Sequence, residues 1–327
     1  GGATSPETRK YQRVQLRYGL ELPPGISADT LTPLTGESLA KAKLTTDQVL
    51  APLPRPDFLD AVARPDGLNE DVEPPLAAQK AYVAGRIAWR VGDMAEAKQQ
   101  LEAALRLAPN EPRLLRLLGE IYTRSGNRIK GAQYFRRAVD LAPEDARSLF
   151  ILGRFAVEKG DHDEAAVLFH DILIREQSPS ALAELSRHFL GNTLRNMGHD
   201  GASAEQFEQY IAVANGPISS SIYAREQALL RRQIGVTRQL LGDLYMRLDR
   251  PADAIGVYRE ALEAGVPDAV KLDKRRVYAA LRLRDDLLAQ RLVIEQVQRR
   301  QGDAQALAMV RYIVNQGVPS ARVAEAL

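Results

Sequence analysis

Residues 112–160 read PRLLRLLGEIYTRSGNRIKGAQYFRRAVDLAPEDARSLFILGRFAVEKG. Leu118-Gly119 returns in this stretch as Leu152-Gly153, and Gly126-Asn127 is answered by Gly160-Asp161. Each pair stands thirty-four positions from its counterpart. Working outward, Gly85 precedes Gly119 by the same step, and Pro109 and Pro143 share the spacing. Leu190-Gly191 and Leu241-Gly242 continue the series. Self-similarity at a fixed period of this length marks stacked helical repeats, each one supersecondary unit.

Local chemistry agrees with paired helices. Gly92, Gly126 and Gly160 stand where a helix ends in a left-handed residue. Asp93, Asn127 and Asp161 follow as N-caps of the next helix. Asp93 with Glu96, and Asp161 with Glu164, have capping-box spacing. A fifth unit replaces that device with Pro251 at the first helical position. The second helices carry Ala97, Ala132, Ala165, Ala204 or Ala254, read as small residues facing the glycines of the first helices. They later hold Leu101, Phe135, Phe169, Phe207 or Tyr258. One helix pair cannot bury its apolar face alone, so the units must stack.

Leu-Gly, a Tyr three residues on, Gly-Asp or Gly-Asn, then Ala, Phe and a closing Pro together resemble the tetratricopeptide repeat. The resemblance runs from about 78 to 268. It implies an all-α fold, a right-handed superhelical solenoid of antiparallel helix pairs with a concave groove. The expected domains are an arm over 1–75, five repeats over 76–268, and a degenerate repeat with a C-terminal cap over 269–327. Two steps depart from the pattern: Gly153 to Gly191 is thirty-eight positions, and Gly191 to Gly242 is fifty-one. An insertion at 217–234 reads as a lengthened helix. Further helices are expected at about 269–284, 286–301, 303–316 and 319–326.

Composition breaks near Pro74-Pro75. Ten of the 18 prolines lie at or before Pro75. The same stretch, 1–75, holds eight basic and eleven acidic side chains, net −3, and the remainder is net +5, which gives +2 for the 327-residue chain. Prolines forbid long helices upstream. Val14, Leu16, Tyr18, Leu20 and Leu22 alternate with Gln15, Arg17, Gly19 and Glu21, a strand pattern over 14–22. Short helices are expected at 46–51 and 57–63, capped by Thr46 and Asp57. Three readings of this mostly extended, Pro-rich arm stand open: it packs on the helical body, it offers a strand to a neighbouring subunit, or it is disordered. A further one has the acidic arm lying in the groove itself.

The sequence supplies no chemistry for catalysis. Cysteine is absent, which removes thiol nucleophiles and thiolate metal sites. There is no phosphate-binding loop and no HExxH. His162 and His170 share a helix without a third ligand nearby, so neither metal nor cofactor is expected. The reading is a non-enzymatic scaffold; an enzyme or glycan-processing factor would need a pocket the sequence does not reveal. No run of 18 apolar residues offers a transmembrane helix. The balanced charge does not point to nucleic acid. The start Gly1-Gly2-Ala3-Thr4-Ser5-Pro6 suits an exported protein of a bacterial periplasm, or an outer-membrane lipoprotein whose acylated cysteine precedes Gly1; a cytoplasmic protein is the alternative.

The resemblance places the first helix of each unit on the groove, and its outward stripe follows from helical period. The partner-binding candidates are Tyr82, Arg86 and Trp89 in the first unit, Arg113 and Arg116 in the second, and Arg147, Phe150 and Arg154 in the third. His188, Asn192 and Arg195 follow in the fourth and Gln239 in the fifth; Glu120, Asp243 and Met246 fall on the same stripe. Arg and Trp are favoured interface anchors, and Arg holds carboxylates through two hydrogen bonds. An acidic protein or peptide partner is therefore expected, against the plainer reading of a solvated face. Some members of the family clamp a chaperone's C-terminal carboxylate with Lys, Arg and Asn. Here Tyr82 and Arg86 stand where that clamp begins, so that ligand is not expected. A second function reading is a structural subunit that wraps a neighbour with its arm.

Overall fold

The computed structural model describes residues 22–23, 26–56, 59, 75–176, 180–216, 224–299 and 304–318. Among the described residues there are sixteen helices and no strand. Three short ones come first, α1 (Ala28–Leu31), α2 (Gly36–Ala42) and α3 (Thr46–Leu50). Then follow α4 (Leu76–Val91), α5 (Met94–Leu107), α6 (Pro112–Arg124), α7 (Arg128–Leu141), α8 (Ala146–Lys159) and α9 (His162–Arg175). Next are α10 (Ala181–Asn196), α11 (Asp200–Asn215), α12 (Ala224–Arg247) and α13 (Pro251–Glu263). The last three are α14 (Ala269–Arg282), α15 (Asp286–Arg299) and α16 (Ala304–Asn315). The 24-residue α12 takes in 224–234 of the insertion expected as a lengthened helix, whose first part, 217–223, falls outside the described residues. The strand expected over 14–22, the helix over 57–63 with its Asp57 cap, and the helix over 319–326 fall outside the described residues.

The chain forms two compact units. A central unit runs Leu50–Thr193, and a split unit joins Gly1–Val49 to Leu194–Leu327. In the central unit the turns follow the sequence closely. Gly92 and Gly160 end α4 and α8 at φ of 89° and 80°, a conformation glycine adopts without steric cost. The next helices are capped as expected. Asp93, Asn127 and Asp161 side chains accept hydrogen bonds from the backbone N–H of Glu96, Lys130 and Glu164.

The expected glycine-to-alanine approach is present in the first unit, where a Cβ on Gly85 would lie 3.3 Å from the Ala97 carbonyl oxygen, but a larger residue fills the space beside it, Leu101 at 2.6 Å. A Cβ on Gly119 would lie 2.9 Å from the Phe135 ring, and one on Gly153 would lie 2.8 Å from Phe169. Each glycine therefore vacates the space that a fully buried ring on the partner helix fills. Alanine shares that seam. Ala97, Ala165 and Ala254 are fully buried. In the second unit the equivalent place, one repeat period from Ala97, belongs to Gly131, which is buried, while Ala132 is turned partly outward.

The split unit holds a core built from α11 to α16 around Phe207, Tyr245, Tyr258, Tyr278 and Val293. The described arm residues belong to it as far as Val49. Leu31 is fully buried in this core. The Leu34 N–H donates to the Arg247 carbonyl at 2.8 Å, and Arg247 Nη1 donates to the Asp29 carbonyl at 2.7 Å. Arg247 also pairs with Asp200, which is fully buried. The α3 cap is Thr45 rather than Thr46. Its Oγ1 accepts from the Gln48 N–H, and its own N–H donates to Gln48 Oε1, a reciprocal capping box. Thr46 is thereby released for tertiary contact: its hydroxyl donates to Glu205 at 2.9 Å and accepts from Gln206 at 2.9 Å. The next arm residues pack on the central unit, where Arg55 pairs with Asp171 at 2.8 Å and Leu59 is buried.

Candidate functional site

First helices of the central unit contribute to two separate hollows. Tyr82 and Gln79 of α4 share a hollow of about 430 Å³ with Glu111 and Arg113 at the start of α6. One unit on, α6 and α8 line a groove of about 240 Å³. Its walls carry Arg124, Arg128, Arg147 and Arg154, against Glu120 and Glu158. Four guanidinium groups face two carboxylates, so the groove is net +2.

The pairing of those charges decides what the groove offers. Arg147 Nε meets Glu120 Oε1 at 3.1 Å, and Arg128 pairs with Glu158. Arg124 lies over the Trp89 ring, 4.7 Å from its centroid. Arg154 is exposed and has no carboxylate partner among the described residues. Exposed pairs contribute little to stability, so Arg147 and Arg128 can exchange partners at small cost. The groove therefore presents surplus, exchangeable guanidinium groups suited to carboxylates.

The residues of the expected stripe meet different fates. Arg147 and Arg154 enter the groove directly. Trp89 packs on the core formed by Leu101, Leu118 and Ile121 and underlies Arg124. Arg86 lies above the Tyr82 ring at 5.5 Å. Arg116 is spent inside the fold: Nη1 donates to Asp145 Oδ1 at 2.9 Å, and Asp145 also accepts from Ser148. Phe150 sits in a three-ring cluster, 5.8 Å from Phe169 and 5.4 Å from Phe189. His188 and Asn192 engage each other, with Asn192 Nδ2 3.2 Å from His188 Nε2. Burial pushes the His188 imidazole down to about 4, so it is neutral at pH 7 and accepts this bond.

Arg195 and Gln239 belong to the split unit. Their companions on the expected stripe, Asp243 and Met246, are not on a surface at all. Met246 is a core residue, and Asp243 accepts from the Tyr258 hydroxyl at 2.6 Å while pairing with Arg275 at 3.0 Å. Helical period does not carry the stripe this far, because Tyr258 of α13 and Arg275 of α14 engage Asp243.

Sequence reasoning missed Arg124, Arg128 and Glu158. The signal was available for two of them. Arg124 lies four residues beyond Glu120 on α6, and Glu158 four beyond Arg154 on α8, one further turn of the same stripe. Arg128 lies on α7 and no stripe of a first helix reaches it. Within the split unit the arm docks through Thr46 on α11 and Asp29 on α12, and within the central unit Arg55 docks on α9. Among the described residues no three His, Asp or Glu side chains converge as metal ligands. None of the helices is long and apolar enough to cross a membrane, for the described residues.

Three solved structures are similar to the chain at low sequence identity. MamA shares 17% identity, covering 59% of this chain and 94% of its own, with a TM-score of 0.45. PilF of Pseudomonas aeruginosa shares 16%, covering 71% and 95%, with a TM-score of 0.45. PilW, described as a type IV pilus biogenesis factor, shares 16%, covering 72% and 99%, with a TM-score of 0.43. No curated protein sequence matches. The family description "Tetratricopeptide repeat" matches residues 82–128, 124–181 and 240–307, just over half of the chain. The last stretch runs on through α14 and α15, so the helix pair expected to be a degenerate cap carries the family pattern as well. On that coverage this protein belongs to the tetratricopeptide repeat family.

Proposed function

We propose that the protein is a non-enzymatic interaction scaffold that captures an acidic segment of a partner protein in the α6–α8 groove. The carrying observation is the excess of guanidinium groups: Arg154 is unpaired among the described residues, and Arg147 is held only by an exposed ion pair. Carboxylates of a partner would displace Glu120 from Arg147 and add to Arg154. Arg124, held over Trp89, would fix the third contact. Such contacts give register and specificity through geometry and steer encounter through charge.

The test uses a fluorescein-labelled glutamate octapeptide and fluorescence anisotropy. Arg147→Glu with Arg154→Glu changes the groove from net +2 to net −2 and lies away from the buried seam. We expect at least tenfold weaker binding with unchanged helicity, and steep weakening of the wild-type interaction by salt. Equal binding by wild type and the double variant would overturn the assignment. Arg116 is unsuitable for this purpose, because reversing it sets a carboxylate against Asp145 and perturbs folding.

A further inference from the structure

The groove does not end at its own wall. Arg128, Phe155 and Glu158 also line a second hollow of about 490 Å³, between α7 and α8. This hollow has a different character. Its floor is made by Ala132, Leu152, Phe155 and Ala156, and Ile129 stands at its mouth, 78% exposed. Ile129 is the most exposed of the large apolar side chains among the described residues, and it adjoins an apolar hollow, so a partner side chain that covers both would bury apolar area. Charged groups ring the mouth. Arg136 meets Glu164 at 3.6 Å, and Arg128 meets Glu158. Lys159 is exposed and has no carboxylate partner among the described residues. Phe155 lines both surfaces, with Arg154 before it and Lys159 after it, neither holding a carboxylate partner among the described residues.

We infer that the two surfaces form one composite site, for an acidic peptide segment that carries a single large apolar anchor. The carboxylates lie along Arg147 and Arg154, the chain crosses the sill formed by Phe155 and the Arg128–Glu158 pair, and the anchor fills the hollow beneath Ile129. A further carboxylate beyond the anchor meets Lys159. Charge complementarity selects this occupant. A purely apolar segment would leave Arg154 and Lys159 without partners, and a basic one would be repelled by them. The α7 register supports the same geometry: because Gly131 occupies the buried seam, the neighbouring Ala132 methyl faces the hollow and leaves it unfilled. This inference rests on the groove assignment made above and adds the anchor to it.

The experiment compares two labelled peptides, a glutamate octapeptide and the same peptide with one central phenylalanine. Binding is measured by anisotropy to wild type, to Ile129→Asn, to Ala132→Phe, and to the Arg147→Glu/Arg154→Glu variant. We expect the phenylalanine to tighten wild-type binding about tenfold. Ile129→Asn removes the lip of the hollow, and Ala132→Phe fills it. Both should abolish the tenfold gain while leaving the affinity for the all-glutamate peptide unchanged. Ile129 is so exposed that its replacement keeps the test valid should Ala132→Phe fold poorly. If charge reversal weakens both peptides but phenylalanine brings no gain, the anchor is wrong and the groove stands. If the gain appears and survives both hollow variants, the apolar contact is elsewhere and the composite site is wrong. If charge reversal affects neither peptide, the groove assignment fails and this inference fails with it.

Discussion

At the scale of single residues, this chain is organised by absent side chains. Gly119, Gly153 and Gly242 each face a fully buried aromatic ring on the following helix, and Gly85 faces Leu101. A small residue on one helix and a large one on its partner give close approach without a void. Gly119→Leu would drive its Cβ to 2.9 Å from the Phe135 ring and add further bulk behind it. Overpacking of this kind costs about 1–3 kcal/mol, read as a lower urea midpoint. The control lies in α13. A Cβ on Gly256 would have no neighbouring atom within 4 Å, so Gly256→Ala should stabilise by about 0.5–1 kcal/mol through helix propensity. Equal effects at the two sites would refute the packing account. The same scale explains why Ala132 is not the seam residue. Ala132 and Gly131 are adjacent small residues, and only the repeat period, not residue type, tells which one enters the seam.

At the scale of elements, what was legible depended on the turn. Units one to three end their first helices in Gly92, Gly126 and Gly160, all at positive φ, and are followed by capping side chains. Backbone geometry there permits few residues, so sequence reveals it. The turns after α12 and α14 use Asp249 and Arg284 at φ of 57° and 56° instead. Losing glycine at that place hid the α14–α15 pair from repeat counting. Asp249 is compensated by Arg282, whose Nη2 donates to its Oδ1 at 2.8 Å. Arg284 is exposed and has no such bond among the described residues. Left-handed backbone costs a residue with a Cβ about 1–2 kcal/mol. Arg284→Gly should therefore raise the thermal midpoint of the folded chain, with a gain of about 1 kcal/mol in denaturant titration. A loss would mean that Arg284 makes a contact worth more than the strain. The groove was half legible for a related reason. Helical period gives Arg147 and Arg154, but no period shows that Asp145 consumes Arg116, or that Arg128 arrives from the second helix.

At the scale of the whole molecule, each unit buries a strongly shifted titratable group, the His188 imidazole in the central unit and the Asp243 carboxyl in the split unit, and the two push the response to acid in opposite directions. In the central unit, burial holds the His188 imidazole down to about 4, against about 6.5 in an unfolded chain. Between those values the unfolded state binds more protons. Its contribution to stability is therefore complete above about pH 6.5 and is lost as pH falls toward 4, worth at most ~3 kcal/mol. In the split unit, burial pushes the Asp243 carboxyl up to about 6, with the Arg275 charge and the Tyr258 hydroxyl offsetting this only in part. There the folded state binds more protons between about 4 and 6. That contribution is complete below about pH 4 and is lost as pH rises through 6, again at most ~3 kcal/mol. Glu184, on the same helix as His188, is also raised by burial and opposes it, so the assignment requires variants. Hydrogen exchange at pH 7 and pH 5 reads each unit separately. Replacing the imidazole in His188→Gln should remove part of the acid-induced loss of protection in the central unit and leave the split unit's response unchanged. Asp243→Asn should do the converse, reducing the split unit's response alone, with the part due to Asp200, also raised by burial, left in place. Should His188→Gln leave the central unit's pH dependence intact, neutral burial of the imidazole is not what that unit relies on.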